Sequence, residues 1–478
     1  MQLESEEIAS IGRSRLVVLL LLVIALEGDG LWMGSLHSGR QIVLTLGALG
    51  FVWAVWLLVR SRFAERGSAL SWDGLPLASK GRGRSGLRAM LCLLAALEIC
   101  SGFLFTAAAH HYAPEGYRLR PLGVAFGFGV PAALFLVLAL WRRPPGTRMV
   151  LGVVGLALTS VFLLAISTCP LRVERSDMLP LIEAADTAAI HGQNPYHLYR
   201  FATESVLLTY LPGTWAAFLP ASLLGVDSRW VTLACDLLLL WLLYRGVKPE
   251  FRPEAVVILG VFFCSPYLQY RHELYTAPHW LCLTASLLLM CRGRLGWSAF
   301  WMGVSISMSQ FSWVIFPLYL LFWWQAYGAR AFWRALGVSA GTAAVLVAPF
   351  LLLSPAGFLY GTIGHWEGHA VSARVINLAY ATASVVGTRH LAVVQGMVVG
   401  AWIVYSVALR RCGTPTRCLG HMCVALTLFV LLNVLVWGYF FLLIGLLLVL
   451  YTFAANGWLA GEAESVEAGC GRGLARQT

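Results

Sequence analysis

Long apolar stretches, separated by short connectors rich in arginine, run along most of the chain. The hydrocarbon core of a bilayer is about 30 Å thick, so a spanning helix needs about 20 mostly apolar residues. The stretches therefore predict an all-α polytopic membrane protein with about 14 transmembrane helices. These helices are expected near residues 15–34, 41–59, 88–109, 121–141, 149–168, 230–245, 254–270, 278–291, 296–309, 312–326, 333–353, 391–409, 419–436 and 438–454.

A polar segment, SDMLPLIEAADTAAIHGQNPYHLY at 176–199, interrupts this pattern. Between residues 177 and 191 the apolar side chains recur with a period near 3.6, which predicts an amphipathic helix lying at the membrane interface. The helix is expected to end at Gly192, and Asn194 before Pro195 predicts a turn.

The following stretch, YLPGTWAAFLPASLLG at 210–225, is apolar but contains Pro212, Gly213 and Pro220. These residues disfavour a continuous helix. The stretch is therefore predicted to be re-entrant or interfacial rather than membrane-spanning.

The composition excludes a soluble globular protein, because 59% of the residues are hydrophobic and only 12% are charged. The net charge of +11 does not indicate nucleic-acid binding, because the arginines lie in short clusters between apolar stretches. Most Lys and Arg fall in alternate connectors, which predicts a multi-pass protein of the cytoplasmic (inner) membrane with both termini in the cytoplasm. The long segments 169–229 and 354–390 then face outside. The 11 cysteines show neither a disulfide framework nor metal-ligand spacing.

The outer segment resembles the first large loop of the GT-C glycosyltransferases, and it looks most like that of the family 87 polyprenyl-phosphate-mannose-dependent mannosyltransferases. The likeness rests on an acidic residue followed by an amphipathic helix, then GQNPY, a Tyr-x-Pro stretch and LLG. SMSQFSWVIFP at 307–317 and NVLVWGYFFLL at 433–443 agree more loosely. The resemblance implies a GT-C-like fold with a membrane catalytic module at 149–454. The predicted helices and topology add a four-helix membrane extension at 1–148, which many members of the family lack, and a cytoplasmic tail at 455–478.

The resemblance also implies inverting transfer of a hexose such as mannose, or of an arabinose-like sugar, outside the cytoplasmic membrane. The donor would be a polyprenyl-phosphate sugar held among membrane lipids, and the acceptor a lipid, a glycan or a protein, with no nucleic-acid partner. Asp177 matches the catalytic carboxylate, which acts as a general base on the acceptor hydroxyl. Pro195 matches part of the turn, and Pro212 the start of the second juxtamembrane helix. The sequence has neither a glycine-rich phosphate loop nor a DxD motif, so no cofactor and no metal is expected.

Further polar residues on the outer face are candidates for substrate binding. A leaving phosphate needs cationic partners, although Arg and His also serve as interfacial anchors. The predicted donor-phosphate ligands are Arg271, His272, Arg374 and Arg172. The predicted sugar or acceptor ligands are Glu183, Asp186, Asn194, Tyr196, Tyr210, Gln310, His365 and His369.

His365 and His369 stand four residues apart, a spacing that suits a metal site on a helix. Gly364 and Gly368 weaken any helix there, and the HExxH order of zinc proteases is absent. Contact with the donor phosphate or the sugar is therefore favoured over metal binding.

Alternatives remain open at this point. Asp177 could instead be an anionic residue at a helix start behind Ser176 as N-cap, with Glu174 in reserve as the base. Glu98 and Asp236 fall within predicted spans, where hydrogen-bonded interior carboxyl groups are the simplest interpretation. A membrane transporter, a lipid flippase or a non-catalytic GT-C-like scaffold would share much of this pattern.

Overall fold

Helices dominate the computed structural model, which describes residues 83–112, 121–141, 145–173, 176–202, 205–265, 268–366, 371, 378–409, 412–434 and 439–460. The first half of the described chain contains α1 (Gly83–Tyr112), α2 (Pro121–Val124), α3 (Val130–Leu140), α4 (Thr147–Thr168), α5 (Met178–Ile190), α6 (Pro212–Ala216), α7 (Leu219–Leu224), α8 (Arg229–Gly246) and α9 (Arg252–Phe263). The second half contains α10 (Leu268–Arg271), α11 (Ala277–Cys291), α12 (Leu295–Met308), α13 (Gln310–Tyr327), α14 (Ala329–Leu353), α15 (Pro355–Thr362), α16 (Ala379–Val386), α17 (Thr388–Ala408), α18 (Pro415–Leu431) and α19 (Phe440–Ala455). The prediction of a mostly helical chain is confirmed.

Short elements complete the description. An antiparallel hairpin pairs β1 (Leu198–Arg200) with β2 (Ser205–Leu207), so that Tyr199 lies opposite Val206. A π-helical turn covers Ala125–Gly129, and short 3₁₀ helices cover Pro249–Phe251 and Gly364–Trp366.

Three helices in the described residues, α4, α14 and α17, are long and apolar enough to cross a membrane. Several others are apolar but only 10–17 residues long. At a rise of 1.5 Å per residue, a 15-residue helix covers only about 22 Å of a bilayer core about 30 Å thick. The predicted number of about 14 spans is therefore corrected for this part of the chain. The predicted helices 15–34 and 41–59 lie outside the described residues.

Two predicted helices are interrupted for identifiable reasons. The helix predicted at 254–270 ends at Phe263, because Ser265 precedes a proline in the sequence and a residue before proline disfavours α geometry. The helix predicted at 121–141 contains the π turn at Ala125–Gly129, which includes two glycines.

The main hydrophobic core surrounds α19, which is buried on every side from Phe440 to Ala454. A helix that is apolar around its whole circumference belongs in a protein interior. α18, α11 and α9 contribute to the same core, as do α1 and α4 from the N-terminal part. The domain boundary expected at residue 148 stays a prediction.

A second and smaller core lies under the polar segment, where α5, the hairpin and α6 pack together. Trp215 and Phe218 are its large buried side chains, and Phe358 of α15 packs against them. The prediction of a helix over 177–191 is confirmed by α5, which is followed by Gly192 at a φ of 71°. The stretch 210–225 forms the short helices α6 and α7, so it contains no membrane-length helix, as predicted.

The smaller core is joined to the rest of the helices by a close approach of α6 to the end of α12. At Gly213 an added Cβ would lie 2.9 Å from Met308 Cγ and from the Ser307 carbonyl oxygen, so a larger residue does not fit. Beside it, the Thr214 hydroxyl donates to the Met308 carbonyl oxygen. These contacts position the start of α6 next to the C-terminal end of α12.

Candidate functional site

Asp177 stands at the N-terminal boundary of α5 and is partly buried. Its carboxylate makes no capping hydrogen bond to the first turn, and Ser176 is not the N-cap residue. Asp177 therefore occupies the N-cap position without a capping hydrogen bond, and its charge lies at the positive end of the helix dipole. Burial raises the pKa of Asp177 above its ordinary value of 3.8, which makes the carboxylate a stronger base.

Three tyrosines, Tyr210, Tyr275 and Tyr439, lie together on the same side as Asp177; we call them the tyrosine cluster. The Tyr210 and Tyr275 ring centroids are 4.3 Å apart with their planes at 47°, and those of Tyr275 and Tyr439 are 6.5 Å apart at 80°. Burial raises the pKa of Tyr275 to about 12, with a hydrogen bond to Tyr439 opposing the shift and the Asp177 charge adding to it. The same carboxylate charge, after burial and Tyr275, raises the pKa of Tyr210.

Tyr210 is held by the turn that the sequence predicted. The Tyr196 hydroxyl donates to the Tyr210 carbonyl oxygen at 2.9 Å, and its ring packs on Phe358 with centroids 4.9 Å apart. The Asn194 carboxamide oxygen accepts from the Tyr196 backbone N–H at 3.0 Å, which closes the turn around Pro195. Asn194 thus closes the turn that positions Tyr196, and Tyr196 holds the backbone of Tyr210. In the structure both predicted sugar ligands make local structural contacts.

Glu183 and Asp186 connect α5 to the helices that follow it. Glu183 accepts from the Ser228 hydroxyl and Asp186 from the Ser222 hydroxyl, each at 2.8 Å. Burial raises the pKa of Asp186 to about 7 and also raises that of Glu183. Both predicted sugar ligands therefore serve in the structure as contacts between helices.

A small, open cleft lies beside the start of α5. It is lined by Cys169, Pro170, Leu171, Arg172, Ser176, Leu179, Pro180, Arg229 and Glu273. Arg172, a predicted phosphate ligand, is exposed at this cleft. The Ser176 hydroxyl is buried and makes no hydrogen bond within the described part of the chain.

Arg229, which the sequence analysis did not single out, forms the inner wall of the cleft. Its guanidinium pairs with the Asp227 carboxylate and donates to the carbonyl oxygens of Ala165 and Cys169 at 3.0 and 2.6 Å. The last carbonyl groups of a helix have no hydrogen-bond donor within the helix, so they need donors of this kind. Arg229 therefore terminates α4, and only its position just before the helix predicted at 230–245 could have indicated this from sequence.

Arg271 and His272, the other predicted phosphate ligands in the described residues, are each only 1% exposed. Arg271 Nη1 lies 3.0 Å from Asp236 Oδ1, and its guanidinium sits over Trp280 at 5.6 Å. His272 Nε2 lies 3.5 Å from Glu273 Oε1. Arg271 is thus engaged by a carboxylate inside the helix packing, which leaves Arg172 as the predicted phosphate ligand that borders the cleft.

The remaining predicted ligands are scattered. Gln310 donates from its amide nitrogen to the Thr362 carbonyl oxygen at 3.2 Å and joins α13 to α15. His365 lies in the short 3₁₀ helix, with its ring centroid 6.4 Å from that of Tyr360. Arg374, His369 and Glu174 lie outside the described residues. Among the described residues there is no group of three or more His, Cys, Asp or Glu that could hold a metal ion.

The structure thus brings together two predicted site residues, Asp177 and Tyr210, and adds two that sequence reasoning missed. Tyr275 follows the polar turn YRHEL, and Tyr439 lies within the aromatic motif at 433–443. The available signal was an aromatic residue at the outer end of a predicted helix.

Comparison with protein-family models, curated proteins and solved structures finds no match to this chain. Its chemistry must therefore be argued from its own residues.

Proposed function

We propose that this protein is an inverting, GT-C-like glycosyltransferase of the cytoplasmic membrane that moves a hexose from a polyprenyl-phosphate sugar to an acceptor hydroxyl. The observation that carries the proposal is Asp177, a partly buried carboxylate with a raised pKa that makes no capping hydrogen bond and lies beside the tyrosine cluster. A carboxyl group that the fold does not use for capping, in a partly desolvated position, suits acid–base chemistry.

In the proposed reaction, Asp177 accepts the proton of the acceptor hydroxyl while that oxygen attacks the anomeric carbon. The bond from the anomeric carbon to the phosphate oxygen breaks, and the polyprenyl phosphate leaves with the bonding electron pair. A general base of this kind accelerates transfer by about 10²–10⁴-fold when it lies within hydrogen-bonding reach. The raised pKa increases the driving force for taking the proton.

The surroundings of Asp177 suit a lipid-linked donor. The long apolar faces of α14 and α17 suit a chain embedded in lipid, where a polyprenyl tail also resides. The cleft beside the start of α5 is bordered by the exposed Arg172, a cationic side chain of the kind that a phosphate at the membrane surface requires. Mannose is the first sugar to test, and a lipid, a glycan and a protein are the acceptor classes.

A direct assay tests this function. The purified protein is reconstituted in liposomes and given polyprenyl-phosphate mannose that carries a label in the sugar. Three acceptors are tested separately: a mannoside, a glycerolipid and a serine-containing peptide. The label is expected to be transferred to at least one of them. Nucleotide-linked mannose should not replace the donor. Binding of the donor without transfer in any arm would favour a non-catalytic scaffold, and movement of intact donor across the bilayer would favour a flippase.

The orientation of α5 provides a second prediction. The proposed chemistry requires Thr187, an exposed residue of α5, to face outside, and Gly146, before α4, to face the cytoplasm. A cysteine at Thr187 should react with a membrane-impermeant maleimide in intact cells, above the labelling of the parent protein. A cysteine at Gly146, where no atom would obstruct its Cβ, should react only after permeabilisation. The reverse pattern would place Asp177 in the cytoplasm and contradict the proposal.

A further inference from the structure

One side of α14 is left uncovered by the described part of the chain. The opposite side, which carries Ala335, Ser339 and Ala343, packs against α12, and the Ser339 hydroxyl donates to the Ala299 carbonyl oxygen at 2.9 Å. Only 6% of the most apolar stretch of α14 is buried inside the protein. The uncovered side, which we call the outward face of α14, therefore contacts whatever surrounds the protein in the membrane.

Two arginines, Arg330 and Arg334, stand on the outward face at the beginning of the helix. Both are exposed, and because they are four residues apart their side chains project from the same side, one turn from each other. Neither forms an ion pair with another described residue. Between Glu273 and Glu367 the sequence contains no Asp or Glu. The nearby sequence therefore supplies no acidic partner for these two positive charges.

The stability of the helix does not account for the two arginines. The N-terminal end of a helix dipole is positive and favours acidic residues, yet α14 has no acidic residue in its first turn and no side-chain cap. Like charges one turn apart also repel each other. Both unfavourable effects are relieved when an anion binds to the two guanidinium groups.

The arginines lie at the depth of lipid headgroups. From Ala335 to Leu353 the helix rises about 28 Å at 1.5 Å per residue, which matches a hydrocarbon core about 30 Å thick. Trp333 is 65% exposed, and exposed tryptophans concentrate at the boundary between the hydrocarbon core and the headgroups. Arg334 therefore lies where the phosphate groups of phospholipids are found.

A strip of small residues continues from the arginines towards the middle of the helix. Gly337 and Gly341 follow Arg334 on the outward face, and no described atom lies within 4 Å of a Cβ built at either glycine. Ala340 and Ala344 beside them are exposed as well. Small residues leave the backbone open to close approach, so an extended acyl chain can pack directly against it.

We propose that the outward face of α14 binds an anionic phospholipid. The phosphate would lie at Arg330 and Arg334, and an acyl chain along Gly337 and Gly341. A guanidinium group matches the oxygens of a phosphate, and basic sites at the ends of membrane helices hold anionic headgroups. A free phosphate would leave the glycines unused. This inference is independent of the proposed sugar transfer.

A second copy of this chain is the competing occupant, because Gly337 and Gly341 have the GxxxG spacing of paired membrane helices. Two copies have the same orientation in a membrane, so their α14 helices would pair in parallel. The arginines of both copies would then meet at the same depth and repel one another, whereas an anionic headgroup neutralises them. The charges on this face therefore favour the lipid.

Native mass spectrometry of the full chain, released from detergent, measures this binding. The probe is dioleoylphosphatidylglycerol, and dioleoylphosphatidylcholine is the control with the same acyl chains and no net charge. The wild type should bind the first phosphatidylglycerol about tenfold more tightly than phosphatidylcholine. Replacing both Arg330→Gln and Arg334→Gln should weaken phosphatidylglycerol binding about tenfold and leave phosphatidylcholine binding unchanged, because charge-assisted contacts are lost.

Arg389→Gln is the matched control. Arg389 is also an exposed arginine in the first turn of a membrane-length helix, α17, but it has no second arginine one turn further on. This variant should bind phosphatidylglycerol like the wild type. Replacing both Gly337→Leu and Gly341→Leu fills the strip for the acyl chain, so it should weaken the same binding while the thermal unfolding temperature is retained.

Four results would overturn the proposal. The first is equal binding of the two lipids by the wild type, and the second is undiminished phosphatidylglycerol binding by the double arginine variant. The third is an equal loss of binding in Arg389→Gln. The fourth is normal lipid binding by the double glycine variant: competition by glycerol 3-phosphate would then indicate a simple anion site, and loss of a wild-type dimer would assign the face to a second copy.

Discussion

Replacing Asp177 by Asn is expected to reduce hexose transfer by about 100-fold or more, while the protein still folds, inserts and binds its donor. Asparagine keeps the size of the side chain but accepts no proton at neutral pH. Because Asp177 makes no capping hydrogen bond, the substitution removes no helix cap, so stability should change little. The measurements are the transfer rate and the thermal unfolding temperature of the same preparation.

The pH dependence of transfer gives an independent check on the same residue. A general base works only when it is deprotonated, and burial raises the pKa of Asp177 above 3.8. The acid limb of the transfer rate should therefore lie at higher pH than for an exposed aspartate, with activity lost as the pH falls through the raised value. Asp177→Asn should remove this limb from its residual activity.

Glu183→Gln provides the matched control, since Glu183 is also partly buried in α5 and also has a raised pKa. Its contact is with Ser228, so this substitution should affect the packing of α5 more than the rate of transfer. Near-normal turnover by Asp177→Asn would remove Asp177 from the mechanism. Glu174 and Asp186 would then be tested as the base.

Replacing Arg271 by Ala is expected to destabilise the protein by about 3–5 kcal/mol, because it leaves the Asp236 carboxylate without its cationic partner among apolar helices. Arg271 and Asp236 are each 1% exposed, and the two side chains meet at 3.0 Å. Phe262, Phe263 and Trp280 surround the guanidinium, so its loss also removes packing. Unfolding of the purified protein, followed by circular dichroism in a denaturing detergent, measures the effect.

The double replacement Asp236→Leu with Arg271→Met separates the charge from the packing. Apolar residues of similar size in place of a buried ion pair are often neutral or stabilising, so the double variant should be clearly more stable than Arg271→Ala. If Arg271 were instead a surface ligand of the donor phosphate, its replacement would raise the donor KM and leave the stability of the protein unchanged. If Arg271→Ala is as stable as the wild type and has a raised donor KM, Arg271 would be a donor-phosphate ligand, as the sequence predicted.

The position of α5 followed from the sequence because the signals that set it are local. The 3.6-residue apolar period of α5, the glycine after it and the turn at Asn194 each depend on neighbours within a few residues. The absence of a spanning helix at 210–225 followed in the same way from its prolines and glycine. The number of membrane-length helices was overestimated because apolar content does not fix where a helix ends.

Asp177 and Tyr210 were identified in advance by a sequence resemblance, but their proximity to each other is a property of the tertiary structure. Whether a charged side chain reaches a surface is decided by residues far along the chain. Arg271 occupies a polar turn that suggested phosphate binding, yet it is paired with Asp236, 35 residues away in sequence. The sequence showed the two charges without indicating that they neutralise each other.

The sequence by itself determined that this is a strongly apolar, helical chain with a polar segment at 176–199, because composition and periodicity act residue by residue. Only the tertiary structure decided that Asp177 does not cap its helix, that Arg229 terminates α4, and that Tyr275 and Tyr439 join Tyr210. The physical reason is that hydrogen bonds and ring contacts extend only a few ångströms. Their partners are therefore set by how distant helices pack, which no local pattern encodes.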